Sequence, residues 1–179
     1  RLTKNIKLTN KTTIKGVGDD SAILHYPDTE VLVTSDMLME GIHFDLTYMD
    51  MYHLGYKAAM VNMSDIFAMN GTPRQLIVNI ALSKRFTVED LEEFYRGLQQ
   101  ACDKWNVDIV GGDTSASYTG LAISITCIGD ARKEEIVCRN GAKETDLICV
   151  SGDLGAAYLG LQLLEREKTV YYQQVEDIQ

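Results

Sequence analysis

The sequence predicts an α+β fold: a mixed, largely antiparallel sheet with its helices on one face, followed by the start of a second α/β domain. Three observations carry this expectation. Stretches 50–69 and 88–105 place apolar residues at helical spacing between capping signals. Short apolar runs at 31–35, 76–82, 107–110 and 121–129 read as strands bounded by Gly, Pro, Asn or Asp. Strands and helices are interleaved without an internal repeat or low-complexity linker, which suits helices packed on one side of a sheet.

Residues 1–15 are polar and are expected to form a flexible arm. A strand pair is expected over 21–24 and 31–35, joined by a turn at Tyr26-Pro-Asp-Thr29. Met37 to Phe44 reads as a loop. The first helix, 50–69, carries Leu54, Ala58, Val61 and Asp65 on one face and stops at Asn70-Gly-Thr-Pro73. The second, 88–105, has Thr87 as N-cap, Glu89 and Asp90 in its first turn, and a stripe from Val88 through Leu91, Phe94, Leu98 and Cys102 to Trp105. A strand then runs into the turn-like Gly111-Gly-Asp-Thr114, and another covers 121–129. A short strand at 147–151 and a helix at 156–166 are too little for an independent core. The expected domains are therefore 16–142 and the beginning of another over 143–179.

Composition narrows the function. With 179 residues and 45% hydrophobic content, the chain can bury a substantial core. A net charge of −9 argues against a general nucleic-acid binder and allows anionic substrates where metal ions or local cations offset the repulsion. No apolar run approaches the roughly 20 residues of a membrane helix. The four cysteines, Cys102, Cys127, Cys138 and Cys149, form no C-x-x-C pair, so free thiols in a cytoplasmic protein are expected.

Phosphate loops of the familiar kinds are absent; Gly16-Val-Gly18 lacks the third glycine of the dinucleotide fingerprint. What recurs is an acid beside small residues after an apolar run: Gly18-Asp-Asp-Ser-Ala22, Thr34-Ser-Asp36, Asn62-Met-Ser-Asp65 and Val110-Gly-Gly-Asp-Thr-Ser115. Such carboxylates suit magnesium, which takes hard oxygen ligands together with substrate phosphates. The residues leave plainer readings open. Only one of Asp19 and Asp20 can face a site in an extended chain. Asp36 could bond its own backbone, and Asp113 could hold a turn. Asp65 on an apolar helix face stands out, because a buried carboxylate is costly unless paired. His43, Lys57 and Arg139 are further candidates for ligand contact.

Taken together, G-x-G-D-D-x-A-x-L (16–24), T-S-D-M-L-x-E-G-x-H-F (34–44), G-Y-K-A-x-x-x-N-x-S-D (55–65), A-M-x-G-x-P (68–73), G-G-D-T (111–114) and R-x-G-A-K-x-x-D (139–146) resemble thiamine-monophosphate kinase. That family shares a superfamily, and its N-terminal domain, with aminoimidazole ribonucleotide synthetase and selenophosphate synthetase. The resemblance implies ATP-dependent phosphorylation of thiamine monophosphate to thiamine diphosphate with Mg2+. It implies metal ligands at Asp20, Asp36, Asp65 and Asp113, assisted by Thr34 and Ser35. It places ATP at Tyr95, Gly112, Asp113 and Arg139, and the thiamine phosphate at His43. It also implies a homodimer through the N-terminal domain, with a shared β-barrel and no nucleic-acid or membrane partner. Ser21 and Asn70-Gly71 depart from the family pattern. The second domain's S-D-G-L-type acidic motif and thiamine-ring pocket have no counterpart, so the chain is expected to be a fragment, inactive alone. Another ATP-using synthetase of the superfamily and a non-catalytic metal-binding dimerisation domain are the alternatives.

Overall fold

The computed structural model describes residues 7–15 and 23–176. Two compact units divide it, 1–138 and 139–179.

In the first unit a short antiparallel pair, β1 (Thr13–Lys15) and β2 (Ile23–Leu24), precedes a four-stranded sheet. The sheet comprises β3 (Glu30–Met39), β4 (Thr72–Leu82), β5 (Asp108–Ala116) and β6 (Leu121–Ala131), in the order β3-β6-β4-β5. Two of its three pairings are antiparallel; β4 and β5 are parallel, connected through a helix. Helix α1 (Met51–Ala68) joins β3 to β4, and α2 (Val88–Trp105) joins β4 to β5. The expected mixed, largely antiparallel sheet is therefore present.

Alternation along the strands fixes which face the helices cover. In β6, Leu121, Ile123, Ile125 and Cys127 are buried, while Ala122, Ser124, Thr126 and Ile128 between them are half-buried. The buried set packs with Leu54, Ala58 and Met63 of α1 and Phe94, Leu98 and Cys102 of α2 in one core. Among the described residues of this unit, no helix covers the other face of the sheet. Each helix begins at a capping side chain, Thr87 as expected and Asp50 just before α1. Asp50 accepts from the His53 amide, and Thr87 with Asp90 closes a reciprocal capping box.

Several local expectations are corrected. Residue pairing puts β2 against β1 rather than against β3, which takes β6 as its ladder partner instead. Residues 9–15, read from the sequence as part of a flexible arm, are tied down. The buried Asp108 accepts from the Thr9 amide (2.7 Å), the Thr9 hydroxyl (3.0 Å) and the Asn10 amide (3.2 Å). Gln75, also buried, donates to the Thr12 and Thr13 hydroxyls. Strand β3 runs to Met39, so Asp36 and Met37 sit in sheet, not loop. Gly111-Gly-Asp113 likewise lies within β5 rather than at a turn.

The second unit contains α3 (Ala156–Glu176), longer than the expected 156–166. Residues 147–151 form no strand. Asp146 accepts from the Lys143 amide at 2.8 Å, closing a turn.

Candidate functional site

The candidate acids sort by the face of the sheet they occupy. Asp36 pairs with Ile125, and Ile125 with Val78, both of them buried under the helices. Residues side by side in a ladder point to the same face, so Asp36 projects on the helix side, with Thr34 two residues before it. There the Thr34 hydroxyl donates to Oδ2 of Asp65 on α1 at 2.7 Å. The Asp36 amide donates to Oδ1 of Asn62, 2.9 Å away. Thr34, Asp36 and Asp65 thus share one groove between the edge strand β3 and α1. Asp65 is exposed, which corrects its reading as a buried acid on the apolar helix face. The buried polar residue of that turn is Asn62, 1% exposed.

Asp113 lies elsewhere. It pairs with Asn79, which pairs with Ser124, on the face without helices. Strands β3 and β5 are opposite edges, three spacings of about 4.8 Å apart, or roughly 14 Å. Magnesium binds oxygen at about 2.1 Å, so no single ion reaches Asp36 and Asp113 of one copy. Ser35 shares the open face: its hydroxyl donates to the Ile125 carbonyl and accepts from Thr126, each at 3.1 Å. Among the described residues no three His, Cys, Asp or Glu side chains gather where they could hold an ion. The pair Asp36 and Asp65, beside a hydroxyl, still fits a metal that takes one or two carboxylates and completes its shell with phosphate and water. Asp20 lies outside the described residues.

Gly112 has a local reason to be glycine. Its φ is +150°, and a Cβ there would meet the Val78 carbonyl oxygen at 1.9 Å. The cause is a register shift: Leu76 pairs with Ile109 but Ile77 with Gly111, leaving Val110 as an extra residue in β5. A Cβ on Gly111 meets nothing within 4 Å. On the helix side, Tyr95 of α2 bonds the Thr114 hydroxyl. Burial pushes the Tyr95 phenol above its ordinary pKa, and the Thr114 bond opposes the rise. Tyr95 is therefore a neutral phenol at physiological pH.

His43 sits on an exposed turn after β3. Its Nδ1 accepts from the Met39 amide at 3.0 Å, so a neutral His43 carries its proton on Nε2. Lys57 of α1 donates to the His43 carbonyl at 2.6 Å. Beside this turn lies an open cleft of about 560 Å³, lined in part by Glu40, Asp45, Asp50, Arg85 and Phe86. Glu40 closes one side, ion-paired with Arg85 and accepting from the Leu121 amide at 2.9 Å. Arg139 is an exposed residue of the second unit.

Sequence reasoning assigned no role to Asn62, Glu40, Gln75 or Asp108. Asn62 was legible in principle, since it lies three residues before Asp65 on a helix. Gln75 and Asp108 gain their partners across the fold and leave no local signal.

The model of the "AIR synthase related protein, N-terminal domain" family matches residues 18–131, more than half of the chain. The chain belongs to the AIR synthase related protein family. Thiamine-monophosphate kinase of Aquifex aeolicus is 38% identical over 157 residues, covering 88% of this chain and 50% of that protein. Thiamine-monophosphate kinase of Bacillus subtilis is 33% identical over 162 residues, covering 90% of this chain and 50% of that protein. Among solved structures, thiamine-monophosphate kinase from Stenotrophomonas maltophilia superposes with a TM-score of 0.81 at 30% identity, over 88% of this chain and 49% of its own. A structure described as "AaThiL complexed with AMPPCP and TMP" superposes at 0.74 with 37% identity, over 86% and 48%. The chain spans about half the length of the curated relatives it matches.

Proposed function

We propose that this chain is the nucleotide- and metal-binding portion of a thiamine-monophosphate kinase, which transfers phosphate from ATP to thiamine monophosphate with Mg2+. The observation that carries the reading is 37% identity to a structure holding AMPPCP, a non-hydrolysable ATP analogue, together with TMP. The groove between β3 and α1 supports it with the right donor chemistry.

Bound magnesium would neutralise the triphosphate and the charge that develops as it breaks. The protein's part is placement. Asp36 and Asp65 offer carboxylate oxygens on the helix side, and the Thr34 hydroxyl orients Asp65. Asp20 is proposed as a further ligand, with Ser35 and Asp113 serving the open face. Tyr95, Gly112 and Arg139 are proposed to contact ATP. His43, with its Nε2 proton directed by the Met39 bond, would donate to the acceptor phosphate. That phosphate has a second pKa near 6 and is already ionised at neutral pH, so no strong base is required. Positioning and charge neutralisation carry the step.

The separation of Asp113 from Asp36 favours a homodimer. Two sheets packed open face to open face would close into a barrel, each β3 edge running beside the partner's β5 edge. Ser35 and Asp36 of one copy would then approach the partner's Asp113. The domain boundary is proposed near 138–142, where the first compact unit gives way to the second. A cytoplasmic setting suits the use of ATP and the four free thiols.

Calorimetric titration of the chain with AMPPCP, with and without magnesium, tests this reading beside Asp113→Asn. Magnesium-dependent binding that the substitution abolishes or greatly weakens is expected. Binding indifferent to both metal and substitution would overturn it.

A further inference from the structure

Asn62 is an unusual core residue. It is 1% exposed in the middle of α1, among apolar neighbours that need no amide. Burying a primary amide is unfavourable unless its donors and acceptor find partners. Both ends do: Nδ2 donates to the Ala58 carbonyl at 3.0 Å, and Oδ1 accepts from the Asp36 main-chain amide at 2.9 Å. The first bond lies within the helix turn and orients the side chain. The second leaves the helix and reaches the edge strand. An edge strand has amides with no ladder partner on its outer side, and such strands shift readily unless something else holds them. At Asp36 that hold is Asn62.

The link has a second strut. Asn62 and Asp65 are three residues apart on α1, and Thr34 and Asp36 two apart on β3. Asn62 meets Asp36 while Thr34 meets Asp65, so two bonds cross the same groove. We infer that Asn62 is a positioning residue that sets the spacing of the Asp36 and Asp65 carboxylates, so that they act as one metal-binding pair. This rests on the magnesium-nucleotide reading above. Asn62 touches neither metal nor nucleotide in this assignment; it acts through the Asp36 backbone. Groups that orient metal ligands from behind typically change metal affinity by about 10–100-fold when removed.

The test uses the 179-residue chain with Mn2+ as a paramagnetic stand-in for magnesium, followed by amide resonance broadening at Asp36 and Asp65, with AMPPCP present. In the unsubstituted chain both resonances should broaden with one midpoint. In Asn62→Ala the midpoint should move about 10–100-fold higher or split in two, with the other core amide resonances in place. Asn62→Asp keeps an oxygen to accept the Asp36 amide, so it should stay nearer the unsubstituted midpoint than Asn62→Ala does. It also serves as the working variant if the alanine form does not fold. A common, unshifted midpoint in Asn62→Ala, or a loss in Asn62→Asp as large as in Asn62→Ala, would overturn the inference and leave the kinase reading standing. No broadening in the unsubstituted chain, together with no magnesium-dependent AMPPCP binding, would overturn both.

Discussion

At the scale of single residues, the two glycines of Gly111-Gly112-Asp113 separate into different roles. The tripeptide suggested a turn that brings backbone close to a ligand, whereas Gly112 brings it close to the Val78 carbonyl across a bulged parallel pair. Gly112→Ala would combine a left-handed-region φ with a 1.9 Å clash against backbone that cannot step aside. It should cost about 1–3 kcal/mol in urea unfolding. Gly111→Ala has open space and should change stability by less than about 0.5 kcal/mol, the usual size at unencumbered positions. Any loss of nucleotide affinity in Gly111→Ala would then report on the ligand rather than the fold. The thiols divide similarly. Burial pushes Cys127 up to about 12, with the nearby Asp65 charge adding to the rise, and raises Cys102 as well. Because the folded pKa lies above the unfolded one, the protonated thiols contribute stability that is fully present below the unfolded value. It is lost as pH rises from about 9 toward 12. The expected signature is a falling urea midpoint above pH 9. At pH 8, iodoacetamide read out by mass spectrometry should modify the exposed Cys138 and Cys149 and spare Cys102 and Cys127.

Among the elements, both helices of the first unit were legible because their determinants are local. Thr87 with Asp90, Asp50, and the apolar stripes all lie within a few residues of what they specify. The strands were harder. β3 carries Thr34 and Asp36 on its covered face between Leu32 and Leu38, so polar residues interrupt the pattern that marks a strand. The groove that makes β3 interesting is what disguised it. The β1–β2 pairing and the Asp108 anchor depend on partners about 10 and 100 residues away, beyond any local signal. The acids were found as residues, but their division between two faces follows from sheet order and register, which the sequence does not display. The α1–α2 crossing was also missed. A Cβ on Gly55 would lie 1.9 Å from the Phe94 carbonyl oxygen, and one on Gly97 would lie 1.8 Å from that of Tyr52. The two helices approach through reciprocal glycines. Alanine would add about 1 kcal/mol of helix propensity, yet the contacts are with backbone and can be relieved only by separating the helices. Overpacking should win, and Gly97→Ala should destabilise by about 1–3 kcal/mol in urea unfolding. A more stable Gly97→Ala would show that the crossing loosens without cost.

For the molecule as a whole, the decisive feature is that the described helices of the first unit cover one side of its sheet only. Leu32 and Leu38 of β3 are buried, but the alternate residues Val31, Val33, Met37 and Met39 face away from the helices and are exposed, Val33 at 64% and Met37 at 59%. A row of four apolar side chains on an edge strand, beside the half-buried Ile77 and Ile128, is more than scattered surface hydrophobicity. An edge strand with such a face invites pairing, and charged residues that would discourage it are absent from this row. The homodimer proposed above would meet both needs, covering the apolar face and the edge of β3 and bringing the two separated acid sets closer. The isolated chain should therefore sediment with a mass that rises with concentration toward a dimer. Val33→Glu with Met37→Glu should hold it at the monomer mass, since two buried like charges per copy would face each other across the twofold axis. Both side chains point away from the core, so the monomeric double variant should keep the native circular dichroism. It should also lose magnesium-dependent AMPPCP affinity if the partner's Asp113 completes the site. Retained affinity in a monomeric variant would mean that the groove between β3 and α1 works alone. The open face would then serve assembly rather than chemistry.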